Sequence, residues 1–167
     1  TFDEAPIGDA SASETDRSCM SQPVESIPTY VLTPNALEPT EYCVSSLADA
    51  VAYEPDGVYT VARTFLGDHA VLLDAHLDRL EESAQLVGIS LELDRERLRA
   101  ALRDLLHRAD YPNAKFRITV PRAHPEYLYL ALEPYRPVPE AIMQTGAHVI
   151  TLPAMRGNPD AKTTDWV

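Results

Sequence analysis

Hydrophobic and polar residues alternate along two pairs of neighbouring segments, and this alternation predicts two β-hairpins. Residues 58–65 alternate throughout, so Tyr59 and Val61 belong to one face of the predicted strand and Val58 and Thr60 to the other. A turn at residues 66–69 and a returning strand at 70–73 would complete the first hairpin. Residues 115–120 alternate again, and residues 127–132 follow across a His-Pro-Glu turn. We therefore expect two antiparallel strand pairs.

Two longer segments carry apolar residues at the spacing of an amphipathic helix. The first helix is predicted near residues 75–87, with Asp74 as its N-cap and Gly88 at its C-terminal end. The second is predicted near residues 94–108 and is capped by Asp94. Its apolar stripe consists of Leu98, Ala101, Leu102, Leu105 and Ala109.

Strand pairs on either side of two helices predict an α+β fold with an antiparallel sheet covered by two helices on one face. Tight turns between paired strands disfavour a doubly wound parallel sheet. Residues 44–52 and 147–152 are predicted as further short strands, with a stiff proline-containing connector from Pro134 to Pro139. The predicted core consists of Leu77, Leu80, Leu98, Leu102, Leu105, Phe116, Ile118 and Leu130.

The chain divides into three predicted parts. Residues 1–42 are expected to form a flexible acidic and proline-rich tail, because residues 1–27 show no hydrophobic period and residues 28–39 resemble an extended lead-in. Residues 43–139 would form the small α+β domain. Residues 140–167 would be a connector and the truncated start of a second domain.

Composition narrows the classes of function. The net charge of −12 and the pI near 4.7 argue against nucleic acid and anionic membranes as partners, because both require a basic face. The sequence has neither an apolar run long enough to span a membrane nor a basic leader before an apolar stretch. Cys19 and Cys43 do not form a disulfide framework and are expected to be bystanders, so a cytoplasmic location is the default expectation.

Common catalytic motifs do not account for this sequence. It lacks a glycine-rich phosphate loop, a His-Glu-x-x-His pair and a Cys-x-x-Cys pair. The five histidines show no metal-ligand spacing with cysteine. We therefore expect no metal site.

The positions of the cationic residues leave two interpretations open. Arg63 and Arg117 lie within predicted strands, Arg79 lies in a helix, and Arg122 ends a strand. They could pair with the 26 acidic residues at the surface, or they could bind a small anionic ligand through bidentate contacts. Lys162, beside two threonines, is either an exposed turn residue or an amine able to form a Schiff base.

Four segments resemble the class IV aminotransferases, the fold-type-IV pyridoxal-phosphate enzymes. The helix reads HLDRLEESAQLVGI and resembles the family's His-Leu-x-Arg-Leu helix with its Gly-Ile end. The segment RGNPDAKTTDWV resembles the family's Arg, Asn-Pro, Lys-Thr-Thr segment. The segment DGVYTVARTFLGD resembles the family's strand in which an aromatic residue stands four positions before an arginine. The segment KFRITVPR resembles the family's strand that ends in an arginine. The resemblance covers the chain from about Tyr53 to Val167.

The resemblance implies a role for four residues. Lys162 would be the lysine that binds the cofactor covalently as a Schiff base, and Arg79 the arginine that binds the cofactor phosphate. Tyr59 would lie beside the substrate. Arg122 falls near positions that bind the substrate carboxylate in some members, although Pro121 and Ala123 depart from the common Val-Thr-Arg-Gly pattern.

The implied function is that of the N-terminal part of a pyridoxal-phosphate aminotransferase, acting on an amino acid and a 2-oxo acid and forming a homodimer when complete. Two alternatives stay open: an aminodeoxychorismate lyase-like enzyme that uses the same lysine, and a non-catalytic α+β interaction module. Because the family's large domain follows the lysine, we expect this chain to be inactive alone. We also expect the amine of Lys162 to lie exposed at a frayed end.

Overall fold

The computed structural model describes residues 26–153 and 157–165. Most of the predicted tail, residues 1–25, lies outside the described residues. The strands are β1 Thr29–Leu32, β2 Leu37–Pro39, β3 Gly57–Phe65, β4 His69–Ala70, β5 Ala114–Pro121 and β6 Leu128–Pro134. The helices are α1 Leu47–Ala50, α2 Leu73–Leu86, α3 Arg95–Ala109 and α4 Glu140–Thr145.

The described strands form one six-stranded sheet in the order β2-β1-β6-β5-β3-β4. All of its neighbours run antiparallel, as predicted. Ile118 of β5 stands between Thr60 of β3 and Leu130 of β6, which fixes the register at the centre of the sheet. Both predicted hairpins are present, although β4 has two residues where the sequence predicts four.

Helices α2 and α3 cover one face of the sheet, with α2 along β3 and α3 along β6. Each strand contributes every second side chain to this interface, so Val58, Thr60, Ala62 and Thr64 of β3 are all buried. The eight predicted core residues are buried as well. The predicted α+β architecture is therefore confirmed.

The helix ends follow local backbone chemistry. Asp94 caps α3 as predicted, since its carboxylate accepts from the Arg97 N–H at 3.0 Å. Gly88, at φ +73°, ends α2, and the Ile89 N–H donates back to the Ala84 carbonyl at 2.8 Å. Asp74 is not the cap of α2, because the helix begins at Leu73 after a left-handed residue. Its carboxylate instead lies in the first turn, where the helix dipole favours negative charge.

The sheet begins before Cys43. Strand β1 pairs with β6 through contacts such as Tyr30 with Leu130, and β2 returns antiparallel to β1. The expectation of a flexible lead-in over residues 28–39 is therefore wrong. The division of the chain into domains at residues 43 and 139 stays a prediction.

Two predicted strands are absent from the described residues. Val44 forms one bridge to Ile27, but residues 47–50 form the single-turn helix α1, where the Ser46 hydroxyl accepts from the Asp49 N–H. Residues 147–152 have no regular structure, and Val149 and Ile150 are exposed. Helix α4 precedes them at the end of the proline connector.

Cys43 is disulfide-bonded in the structure. The expectation that its thiol is a bystander is therefore wrong, and cysteine usage no longer supports a reducing compartment. None of the helices in the described parts of the chain has both the length and the apolar character needed to cross a membrane.

Candidate functional site

The segment around Lys162 docks on the outer edge of strand β3. The Tyr59 N–H donates to the Lys162 carbonyl at 3.0 Å, and the Thr164 N–H donates to the Gly57 carbonyl at 2.9 Å. The Gly57 N–H donates in turn to the Thr164 hydroxyl at 2.8 Å. These contacts add a short antiparallel rung to the sheet beside its first β3 residues.

Gly57 is required at the first position of β3 because β3 and β5 approach very closely there. A Cβ atom on Gly57 would lie 2.0 Å from the Val120 carbonyl oxygen, a distance no real side chain tolerates. The other side of the docked segment is held by helix α2, since the Lys162 N–H donates to the Ser83 hydroxyl at 3.2 Å. Lys162 is half-buried, and its predecessor Ala161 is fully buried. The expectation of a frayed Lys162 is therefore wrong.

The ring of Tyr59 lies between two cations. The Lys162 Nζ atom is 5.4 Å from the ring centroid, and the Arg117 guanidinium carbon is 3.8 Å from it. Both distances are within the range of cation–π contacts. Tyr59 and Lys162, two of the predicted site residues, are therefore brought together directly.

A buried ion pair supports Tyr59. Arg117 and Glu54 expose only 6% and 1% of their side chains, and the Arg117 Nε donates to the Glu54 carboxylate at 2.7 Å. The Thr119 hydroxyl donates to the same carboxylate oxygen at 2.6 Å. The Arg117 Nη2 is buried without a hydrogen-bond partner in the described structure. Arg117 is thus neither a surface residue nor a free anion-binding residue.

Arg79 joins the site through His76, one turn earlier on α2. The Nδ1 atom of His76 lies 3.2 Å from the Arg79 Nη2 and 3.2 Å from the Thr60 hydroxyl. Burial lowers the pKa of His76 below its ordinary value, and the positive charges of Arg79 and Lys162 lower it further. The three cationic or basic side chains therefore belong to one electrostatic neighbourhood.

Arg122 is engaged elsewhere. Its Nε donates to the Asp56 carboxylate at 2.9 Å, and its Nη1 donates to the Val87 carbonyl at 2.9 Å. The described contacts do not join its guanidinium to Lys162, Arg79 or Tyr59. Of the four predicted site residues, Arg122 is the one that lies outside the cluster formed by Lys162, Tyr59, Arg79 and the side chains that contact them.

Three residues of the cluster escape sequence reasoning. His76 is three positions before Arg79, and this spacing places the two side chains next to each other on one helix face. From the sequence alone, the histidines are considered only as metal ligands. Ser83 and Glu54 give no such signal, because their partners Lys162 and Arg117 are distant in sequence. A search of the described residues finds no group of three potential ligands that could hold a metal ion.

The arrangement places one amine, one exposed guanidinium and one aromatic ring around the edge of β3. An amine beside other cations suits addition to a carbonyl, and a guanidinium with open donors suits a phosphate or carboxylate. The model of the amino-transferase class IV family matches residues 57–167, which is more than half of the chain and includes all four predicted site residues. This chain belongs to the amino-transferase class IV family.

Several solved structures are similar to this chain. A protein of Thermotoga maritima assigned as a branched-chain amino acid aminotransferase is 16% identical, with a TM-score of 0.57 over 83% of this chain and 50% of its own. A hypothetical aminotransferase of Mycobacterium tuberculosis is 24% identical, with a TM-score of 0.47 over 69% of this chain and 41% of its own. A protein assigned as 4-amino-4-deoxychorismate lyase is 29% identical, with a TM-score of 0.44 over 58% of this chain and 38% of its own. No curated protein matches.

The class IV chain therefore spans half or less of the length of these solved structures. Its six-stranded antiparallel sheet and helices match the N-terminal domain of fold-type-IV enzymes, which confirms the predicted fold class and family.

Proposed function

We propose that this class IV chain is the N-terminal part of a pyridoxal-phosphate aminotransferase that moves an amino group between an amino acid and a 2-oxo acid. The observation that carries the proposal is the docking of Lys162 on β3 beside Tyr59 and the His76–Arg79 pair, within the segment that the family model matches. The Mycobacterium tuberculosis protein has been solved with pyridoxal phosphate and with α-ketoglutarate and pyridoxamine phosphate. We extend that cofactor and substrate class to this chain.

The donors at the site fit pyridoxal phosphate. Lys162 supplies the amine, its backbone is held by β3 and Ser83, and Arg79 supplies guanidinium donors that remain open toward solvent. When bound, the cofactor supplies an electron sink for negative charge on the substrate carbon. Lys162 would hold the cofactor through its side-chain amine, the nucleophile that the site offers to a carbonyl group.

The other site residues have supporting roles in this proposal. Arg79 would bind the phosphate through its planar donors. Tyr59 would orient the Lys162 amine and border the substrate. The Lys162 amine would also be the base placed to move a proton of the substrate. Arg122 would reach a substrate carboxylate only by exchanging its contact with Asp56. The complete enzyme would be a cytoplasmic homodimer.

The chain contains an internal control for Lys162, because its other lysine is Lys115. The Lys115 ammonium donates to the Glu133 carboxylate at 3.2 Å and lies outside the proposed cluster. We predict that borohydride reduction after incubation with pyridoxal phosphate labels Lys162 far more than Lys115. Peptide mapping by mass spectrometry would locate the label.

Matched variants make this test decisive. Lys162→Arg should abolish the label, whereas Lys115→Arg keeps the ion pair with Glu133 and should leave the Lys162 label unchanged. Equal labelling of both lysines, or label confined to the N-terminal amine, would reject the proposed role of Lys162.

A further inference from the structure

The Nδ1 atom of His76 faces two hydrogen-bonding groups, the Arg79 guanidinium and the Thr60 hydroxyl. The Arg79 guanidinium has only N–H donors, so the Nδ1 atom that faces it at 3.2 Å has to present a lone pair. Thr60 is fully buried, and its hydroxyl faces the same nitrogen at 3.2 Å. The Arg79 contact therefore favours a neutral imidazole with its proton on Nε2, and the buried Thr60 hydroxyl can then donate to the same nitrogen.

The surroundings of His76 reinforce this protonation state. His76 lines a cavity of about 310 Å³ whose charged lining residues are Arg63 and Lys115, the second of which is paired with Glu133. Arg79 of α2 and Lys162 of the docked segment add positive charge, and no carboxylate lines the cavity among the described residues. A second positive charge on the imidazole would also break its contact with Arg79. Burial and these cations therefore favour the neutral imidazole, and the contact with Arg79 favours the tautomer with a lone pair on Nδ1.

We infer that His76 is a positioning residue, whose unprotonated Nδ1 holds the Arg79 guanidinium in the orientation that receives a phosphate monoester. Without this acceptor, no hydrogen bond to His76 would orient the exposed Arg79 guanidinium. The inference rests on the proposed function, because Arg79 is the residue proposed there for the phosphate.

Two variants separate the acceptor atom from the bulk of the ring. In His76→Asn the side-chain oxygen can occupy the place of Nδ1 and accept from Arg79, whereas His76→Leu fills similar space without an acceptor. Leucine is the better helix former, so a purely structural role would make the asparagine variant the weaker of the two. The positioning role predicts the opposite order.

The probe is inorganic phosphate, which needs no reaction at Lys162. Phosphate binding to the 167-residue chain and to each variant would be measured by isothermal titration calorimetry. We expect His76→Leu to weaken phosphate about tenfold, as the loss of one hydrogen bond to a charged group implies. His76→Asn should retain most of the affinity, and Arg79→Ala should remove the His76 dependence. Nitrogen NMR of the imidazole should show the Nε2–H tautomer at neutral pH.

Each result decides between the alternatives. Equal affinity in wild type and His76→Leu, a greater loss in His76→Asn than in His76→Leu, or an Nδ1–H tautomer would overturn the inference. A wild-type chain that does not bind phosphate would overturn it as well. Labelling of Lys162 by pyridoxal phosphate is a separate readout, so a failure of the proposed function is distinguishable from a failure of the role of His76.

Discussion

The carboxylate of Glu54 is the counter-charge for Arg117 beneath the Tyr59 ring. Removing one member of a buried ion pair leaves an uncompensated charge and costs about 3–5 kcal/mol. We predict that Glu54→Leu lowers the free energy of unfolding by this amount, because Arg117 is 5% exposed and would have no carboxylate partner. Urea unfolding at equilibrium measures the loss.

Two comparisons test this interpretation of Glu54. Glu126→Leu removes an exposed carboxylate and should change the free energy of unfolding by less than about 0.5 kcal/mol. The double variant Glu54→Leu with Arg117→Met should recover much of the loss, since an apolar pair of similar volume often replaces a buried ion pair without cost. If Glu54→Leu is no more costly than Glu126→Leu, the pair does not hold Tyr59 in place.

At this scale, the sequence supplies candidate site residues but not the side chains that support them. Lys162, Arg79 and Tyr59 are identified from the family resemblance, and the structure brings them together or links them through His76. Arg122 is identified from the same family resemblance, but its guanidinium donates to the Asp56 carboxylate and the Val87 carbonyl instead. Which acid an arginine meets depends on long-range folding, and a one-dimensional pattern does not contain that information.

Helix α3 owes its position to an apolar stripe that fits against β5 and β6. Leu102 is 3% exposed and belongs to the main core cluster with Phe116 and Leu130. We predict that Leu102→Ala lowers the free energy of unfolding by about 2–5 kcal/mol, through lost burial and the cavity left behind. The neighbouring Arg103 is exposed, so Arg103→Ala should change it by less than about 0.5 kcal/mol in the same urea experiment. Similar losses for the two variants would contradict this packing.

The elements differ in how far local sequence determines them. The two long helices are predicted to within about two residues, because a 3.6-residue period extends over about four turns. Gly88 also marks the end of α2 and Asp94 the start of α3, whereas the predicted cap Asp74 lies inside α2. Strand β1 is missed because its partner β6 lies about a hundred residues away. Residues 147–152 have the composition of a strand, but β-propensity needs a neighbouring strand, and the described residues supply none there.

The whole molecule is acidic, yet the proposed site is cationic. Against a net charge of −12, the docked segment and α2 place Lys162 and Arg79 around the same histidine. This site is assembled from three distant parts of the chain, since Lys162 contacts Ser83 and Thr164 contacts Gly57 across 79 and 107 residues. The site therefore exists only in the folded chain, and ligand binding should be coupled to global stability.

This coupling predicts that pyridoxal phosphate raises the thermal unfolding midpoint of the 167-residue chain. A ligand that binds only the folded state stabilises it by about 2.7 kcal/mol at one hundred times its Kd, which corresponds to a rise of about 5–10 °C for a chain of this size. In Lys162→Arg, pyridoxal phosphate should raise the midpoint no more than inorganic phosphate does. The additional rise in the wild-type chain would come from the covalent bond between Lys162 and the ligand. Arg79→Ala should lose the response to inorganic phosphate. Differential scanning calorimetry would measure both responses, and an equal rise in wild type and Lys162→Arg would show that the ligand binds without its lysine.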